Sequence, residues 1–497
     1  MKFLRYTATW LLIVVVLASP VFANPRFDRG VESYIYFRFG ATGSFIAVPA
    51  PAPYRWVRSV YAHDLGVDNL IHINEITYHN GRFFMTNGPT IVVTDYDLNM
   101  TDLITGVEID GVFTNFTTLD GIFVCTHTSE VYVAEPGSGR ILHFDFDMNL
   151  IRVLGFPAGF PVSPDFNYRP LKVATDHHGR IYVIAQDVFE GILELDVDGS
   201  FIRYFGVINV RFTVAELFWR QFRSAEQRAR MSLALPTSFV NLTAAPDGFI
   251  FATETEGATD QSVRKLNSRG ENILRMPSDE HHVGDLVMEG FFIEPGVPMG
   301  PSIISHIHVT DFGVYYALDR NRNRVFAYDE DGHLLFAFGG SGTREGFTQN
   351  AVGMAVSDNH LIIADRGSRT LEIFELTSYG SDLLTAARLQ HHADWEGAVT
   401  YWRRVLDLNP HFQYAHLGIG RWYYRNGYFH EAVHHFQRAQ NVEYYNRAFT
   451  HIRREFFDRN FTYIVIAIFG AAAIYASYKI VRKVRANRKV VREGQTV

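Results

Sequence analysis

Cysteine is almost missing: Cys125 is the one cysteine among 497 residues. An internal disulfide framework and a thiolate zinc cluster are both excluded. An excess of positive charge is missing too. With 46 Lys and Arg against 53 Asp and Glu, the formal charge is −7, which is not the footprint of a nucleic-acid binder. Charged residues amount to 20% while apolar residues reach 47%, the composition of a folding chain and not of a disordered one. Aromatics are abundant, with 41 Phe and 25 Tyr, and that bias leans toward β structure. A length of 497 residues exceeds what one compact core holds, so two or more domains are expected.

Long apolar runs stand at the two ends. Residues 1–23 read as a signal peptide. Lys2 and Arg5 supply the basic region, Thr9 to Ala18 the apolar run, and Val21-Phe22-Ala23 the small residues needed for cleavage. Residues 461–480 read as a transmembrane helix. At 1.5 Å rise per residue they span the roughly 30 Å hydrocarbon core, and Tyr463, Tyr475 and Tyr478 lie near the ends, where aromatic belts sit. From Lys479 onward seven basic residues face one acid, Glu493, so the 481–497 tail is expected in the cytoplasm. The expected arrangement is a single-pass type I protein of the cell membrane with its N-terminal ectodomain outside the cytoplasm. The tail carries +6 and the N-terminal segment +2, leaving −15 on the ectodomain, which an anionic membrane surface repels.

The middle of the chain repeats. Six segments share an apolar strand, a polar or Gly turn, a second strand, a turn, and a third strand ending near an acid. The second-strand cores begin at Gly81, Ser129, Gly179, Gly248, Gly313 and Asn359, spaced 48, 50, 69, 65 and 46 residues apart. Each copy is a small antiparallel meander, which cannot bury its face alone but can in radial repetition. Arg55 to Tyr61 alternates like a strand and is expected to complete the last copy as its outer strand, removing an open edge. The long third interval holds two capping-box spacings, Thr213 to Glu216 and Ser224 to Gln227, so a helical insertion is expected over about 213–232. The Gly/Pro-rich stretch from about Pro277 to Pro301 reads as a loop.

After Leu376 the period becomes helical. Two units stand in 34-residue register over about 381–459. Ala398, Trp402 and Pro410 mark the first; Gly420, Tyr423, Gly427, Phe429, Ala432, Phe436 and Ala439 mark the second. Small residues let paired helices approach and the aromatics fill the gaps between them.

The repeated β unit resembles NHL-repeat β-propellers, through Ala134-Glu135 with Gly139-Arg140-Ile141, Ala317-Leu-Asp319 with Asn323-Arg324-Val325, and Ala364-Asp365 with Arg369. The copies at 81 and 248 depart from it, with Thr86-Asn87-Gly88 and Thr253-Glu254 in place of the alanine–acid pair. The helical stretch resembles tetratricopeptide repeats. Its first unit departs, with Asp382, Ala386 and Leu389 where a large apolar residue, a glycine and a tyrosine are usual. Together these resemblances imply a mainly β protein: a six-bladed β-propeller over 24–376, a tetratricopeptide-like helical pair over 381–459, and one transmembrane helix. The combination resembles a bacterial NHL-repeat ectodomain family associated with sugar-import gene neighbourhoods. It implies other proteins, membrane transport components or a glycan as partners, with no nucleic acid.

No nucleophile, base and orienting group can be assembled from spacing. Asn74, Glu75, Asp176 and Asn241, at the entrances of the inner strands, are candidates to line a central channel. There they would hold an oxygen-loving ion such as calcium or remain solvated. Four His-His pairs begin at 177, 281, 391 and 434. Neighbouring histidines point apart, and only His430 with His434 has the i, i+4 spacing that suits zinc. Trp402, Trp422, Tyr423 and Tyr424 are candidates for contacts in a helical groove, or for packing within it. The expected function is a membrane-anchored extracytoplasmic binding or scaffold protein, without catalytic residues or a cofactor. The alternative is a lactonase-like propeller hydrolase or lyase with calcium or zinc in its channel.

Overall fold

Six antiparallel sheets follow one another from Tyr54 to Leu376, five of four strands and one of three. The computed structural model describes residues 33–39, 45–163, 165–207, 238–254, 262–276, 283–287 and 300–493. The expected signal peptide and the expected insertion at 213–232 lie outside the described residues. The first blade is built from Ile73–His79, Arg82–Asn87, Thr90–Thr94 and Met100–Ile104. The second runs from Ile122–Val124 through Val131–Glu135 and Arg140–Phe144 to Leu150–Leu154. The third spans Pro170–Thr175 to Phe201–Phe205, and the fifth Ile304–Val309 to Leu334–Gly339. The protein is a six-bladed β-propeller followed by C-terminal helices.

The second strand of each blade explains why the sequence reads as short unbroken apolar runs. Val131–Glu135, Ile181–Ala185, Ile250–Glu254 and Tyr315–Asp319 are buried at every residue, because a neighbouring blade covers each face. Outer strands such as Phe201–Phe205 are partly exposed and mix polar with apolar residues. The core therefore lies between blades: Ile76, Met85 and Val92 of the first pack with Ala355, Ile362 and Leu371 of the sixth. Burying each of the larger of these side chains stabilises by about 1.5–3 kcal/mol.

The acid ending the second strand is buried and ties down the segment entering its blade. Asp319 accepts from Ser302 Oγ at 2.6 Å and Ile303 N at 3.2 Å. Asp365 accepts from the backbones of Gln349 and Asn350 at 2.8 and 2.7 Å, and Glu135 from Thr117 N at 2.9 Å. In the fourth blade Glu254 pairs with Arg264 as Glu135 pairs with Arg140, although its alanine is replaced.

Ring closure follows the expectation. Tyr54–Tyr61 pairs antiparallel with Thr370–Leu376 as the outer strand of the sixth blade. Ser59 Oγ and Trp56 Nε1 both donate to the buried Glu372 carboxylate, at 2.8 Å.

Three features were not expected. Ser33–Phe39 pairs antiparallel with Phe45–Pro51 ahead of the closing strand. A hairpin, Gly106–Ile109 with Val112–Asn115, stands between the first and second blades. Its turn is Asp110-Gly111, both at positive φ. Among the described residues the fourth blade has three strands, Phe239–Ala244, Ile250–Glu254 and Val263–Leu266. Its fourth-strand position ends in one bridge, Leu266 to Asn272, and the Asn272 side chain accepts from Lys265 N at 3.1 Å where ladder bonding would continue. The expected loop at 277–301 contributes a two-residue pairing of Leu286–Val287 with Gly300–Pro301.

The chain divides into two units at Asp394 and Trp395. The first ends with helix α1 (Ser378–His391), whose cap Thr377 accepts from Gly380 N at 3.1 Å and donates to Ala52 O at 2.6 Å. The second holds α2 (Trp395–Leu408), α3 (Gln413–Arg425), α4 (Phe429–Arg438) and α5 (Val442–Glu493). α3 and α4 meet at Gly420, where a Cβ would lie 2.6 Å from the Phe436 ring. α5 is one long apolar helix, by length and composition able to cross a membrane.

Candidate functional site

Each inner strand carries the same irregularity. The ladder to the second strand slips at Asn74, Leu171, Val240, Ser305 and Val352. In the second blade Asp120 N and Gly121 O both bond Ala134. Such a bulge leaves one residue unpaired and re-aims the next side chain. The residues that follow are Glu75, Gly121, Lys172, Asn241, His306 and Gly353, one per blade. The two glycines admit close approach: a Cβ on Gly121 would stand 2.8 Å from Leu171 O, and one on Gly353 3.2 Å from Glu75 Cα.

The other four side chains converge on Glu75. Lys172 Nζ donates to Glu75 Oε2 at 2.6 Å and lies 3.0 Å from Asp120 Oδ1. Asn241 Nδ2 is 3.2 Å from Glu75 Oε1 and 3.4 Å from His306 Nδ1, and His306 Nδ1 is 3.4 Å from Glu75 Oε1. Glu75, Asn241 and His306 are all buried, and Asn241 Oδ1 has no partner among the described residues. Burial alone would lower the Lys172 pKa. The Asp120 and Glu75 carboxylates overrule it and hold the ammonium well above its usual range. Burial, helped by the Lys172 charge, lowers the His306 pKa despite Glu75 and a backbone bond at Met354, so this imidazole is neutral at pH 7.

Of the channel candidates, Glu75 and Asn241 come together here. Asn74 is the bulge residue beside them: its Nδ2 donates to Leu119 O at 2.6 Å and its Oδ1 accepts from Arg366. Asp176 lies elsewhere. It closes the turn after its strand, accepting from His178 N at 2.9 Å and Arg180 Nε at 2.8 Å. Lys172, His306 and Asp120 escaped the sequence reading. The signal for two of them was present: counting back seven residues from Gly179, Gly248 and Gly313 gives Lys172, Asn241 and His306.

A divalent cation on this axis would need the Glu75 and Asp120 oxygens. An ammonium already sits against both, so the residues present do not fit a metal ion there. Asp329, Asp331 and His333 of the fifth blade also lie close together. Asp329 Oδ1 is spent on the backbones of Asp331 and His333, at 3.1 and 2.7 Å, and Asp95 and Asp145 form the same turn with Asn99 and Asn149 in two other blades.

In the helical unit Trp402 is fully buried against Tyr414 and packs between helices. Trp422 Nε1 donates to Glu396 at 2.7 Å, Tyr423 packs on His435, and Tyr424 OH lies 3.1 Å from His451 Nε2; all three are half-buried. His434 is exposed, whereas His435 turns inward and puts Nδ1 3.1 Å from His416 Nδ1. His281 and His282 lie outside the described residues.

No protein-family model matches this chain, and no curated protein sequence matches it. Among solved structures it is similar to a streptogramin B lyase at 12% identity and TM-score 0.38, over 64% of this chain and 97% of that one. It is also similar to virginiamycin B lyase from Staphylococcus aureus, at 9% identity and TM-score 0.39 over 65% and 100%. A protein of unknown function from Bacteroides thetaiotaomicron gives 12% identity and TM-score 0.42 over 67% and 80%. The likeness is one of fold.

Proposed function

We propose that the protein is a membrane-anchored, extracytoplasmic binding protein. In this reading the propeller is a rigid display platform and the helical unit, a tetratricopeptide-like pair, engages another protein. α5 anchors both in a type I orientation. One observation carries the proposal: the polar groups on the propeller axis are committed to one another. Glu75 is shared by Lys172, Asn241 and His306, and Asp120 is paired with Lys172, so neither of these two acids is free to hold a catalytic metal. A transport complex handling sugars is the partner class that the sequence resemblance favours.

One observation favours the second reading, a hydrolase or lyase. His306 is neutral at pH 7 and presents Nδ1 3.4 Å from a carboxylate, a pairing that suits a general base. Elemental analysis of the purified full chain, prepared without chelator, separates the metal-dependent form of that reading from the binding reading. Less than about 0.1 calcium or zinc per chain is expected, and one per chain would overturn the assignment of the axis. Deleting residues 381–459 is expected to abolish co-purification of the partner while the propeller still folds. Retained co-purification would sink the binding role of the helices.

A further inference from the structure

Four arginines of the helical unit lie over aromatic rings: Arg404 over Tyr401 within α2, and three more on α3 and α5. The Arg425 guanidinium carbon stands 4.0 Å from the centre of the Trp395 ring. The Arg421 and Arg447 guanidinium carbons stand 4.8 and 5.3 Å from the centre of one ring, Tyr444. Arg447 also pairs with Glu443, whereas Arg421 and Arg425 have no carboxylate partner among the described residues. Those two sit one turn apart on α3, where like charges repel. Two buried donors beside them, Arg421 Nε and Trp395 Nε1, have no acceptor among the described residues. Every cation from Trp395 to Tyr478 is an arginine, nine of them against six acids.

A guanidinium stacked on a ring keeps its edge N–H groups free for planar, bidentate recognition of a carboxylate. The strip therefore offers guanidinium donors, and the nearby carboxylates of Glu396 and Glu443 are engaged by Trp422 and Arg447. We propose that Arg421, Arg425 and Arg447 form a docking strip for an acidic, extended polypeptide segment. The proposal names the partner chemistry for the binding role assigned above and rests on it. Anionic lipid is disfavoured by distance. Arg447 lies fourteen residues ahead of Phe461, or about 21 Å along α5, more than twice the Debye length at physiological salt.

The test uses the full chain in neutral detergent and a fluorescein-labelled deca-glutamate peptide, read by anisotropy. Saturable binding is expected, weakened at least about tenfold in Arg421→Gln/Arg425→Gln and weakened as salt rises. Arg421→Lys/Arg425→Lys keeps the charge and loses the planar fork, so an intermediate affinity is expected. Circular dichroism checks that both variants fold. Equal binding by the wild type and the glutamine variant would overturn the proposal. So would arginine-dependent binding to phosphatidylglycerol vesicles in place of the peptide. Partner co-purification that needs residues 381–459 but survives the glutamine variant defeats this inference and leaves the binding role standing. Co-purification that survives the deletion defeats both.

Discussion

Lys172 is one of six lysines in a chain with forty arginines, and it is the one that stands on the propeller axis. A compact ammonium fits between Glu75 and Asp120, where a planar guanidinium would need more width. Lys172→Met leaves the buried Glu75 carboxylate and the half-buried Asp120 without a counter-charge. A loss of about 3–5 kcal/mol is expected in urea unfolding, since removing one member of a buried pair strands the other. Adding Glu75→Gln restores part of it, and millimolar calcium restores part of it in the single variant, because the vacated place then lies between two acids. A single variant as stable as the wild type would show that the ion pair contributes nothing. Glu75 and Asn241 were legible in the sequence because an acid and an amide stand out at the start of an apolar strand. Lys172 and His306 were not. The bulge shifts the inward-facing position by one residue, and a period-two reading therefore assigns them to the wrong face.

At the scale of elements, the six meanders, the closing strand and the C-terminal helices were all legible from repetition and periodicity. The hairpin at Gly106–Asn115 was missed even though Asp110-Gly111 is a strong two-residue turn signal, because it falls inside an interval of ordinary length. The three described strands of the fourth blade were hidden for the opposite reason: Asn272 reads as turn chemistry, and only the fold shows its side chain accepting from Lys265 N and Leu274 N beside the third strand. The α3–α4 contact gives a pH prediction. Burial first, then the charges of His416, Arg438, Arg403 and His434, lower the His435 pKa from its ordinary value to about 4. The unfolded chain therefore binds this proton more readily than the folded one. The stabilisation is complete above about pH 6.5 and is lost as pH falls toward 4, with a slope of at most about 1.4 kcal/mol per pH unit, less for a half-exposed group. His435→Gln is expected to flatten that slope in guanidinium melts run at pH 7 and pH 5. An unchanged slope would remove His435 from the account.

For the whole molecule, the scarcity of thiols makes the proposed topology directly readable. Cys125 is 4% exposed and should resist a membrane-impermeant maleimide in intact cells. Thr496→Cys is expected to label only after the membrane is permeabilised; labelling of intact cells would reverse the orientation. The closing strand has a consequence in time. Ser59 is bonded to Glu372 across 313 residues of sequence, so one edge of the ring is made early and its partner near the end of the propeller. At about 5–20 residues per second, synthesis leaves that edge waiting for roughly 15–60 s. Throughout that interval every completed blade belongs to an open arc. The protein becomes a ring only shortly before its long apolar C-terminal helix is translated, so the unfinished chain, and not the finished one, carries an unpaired sheet edge.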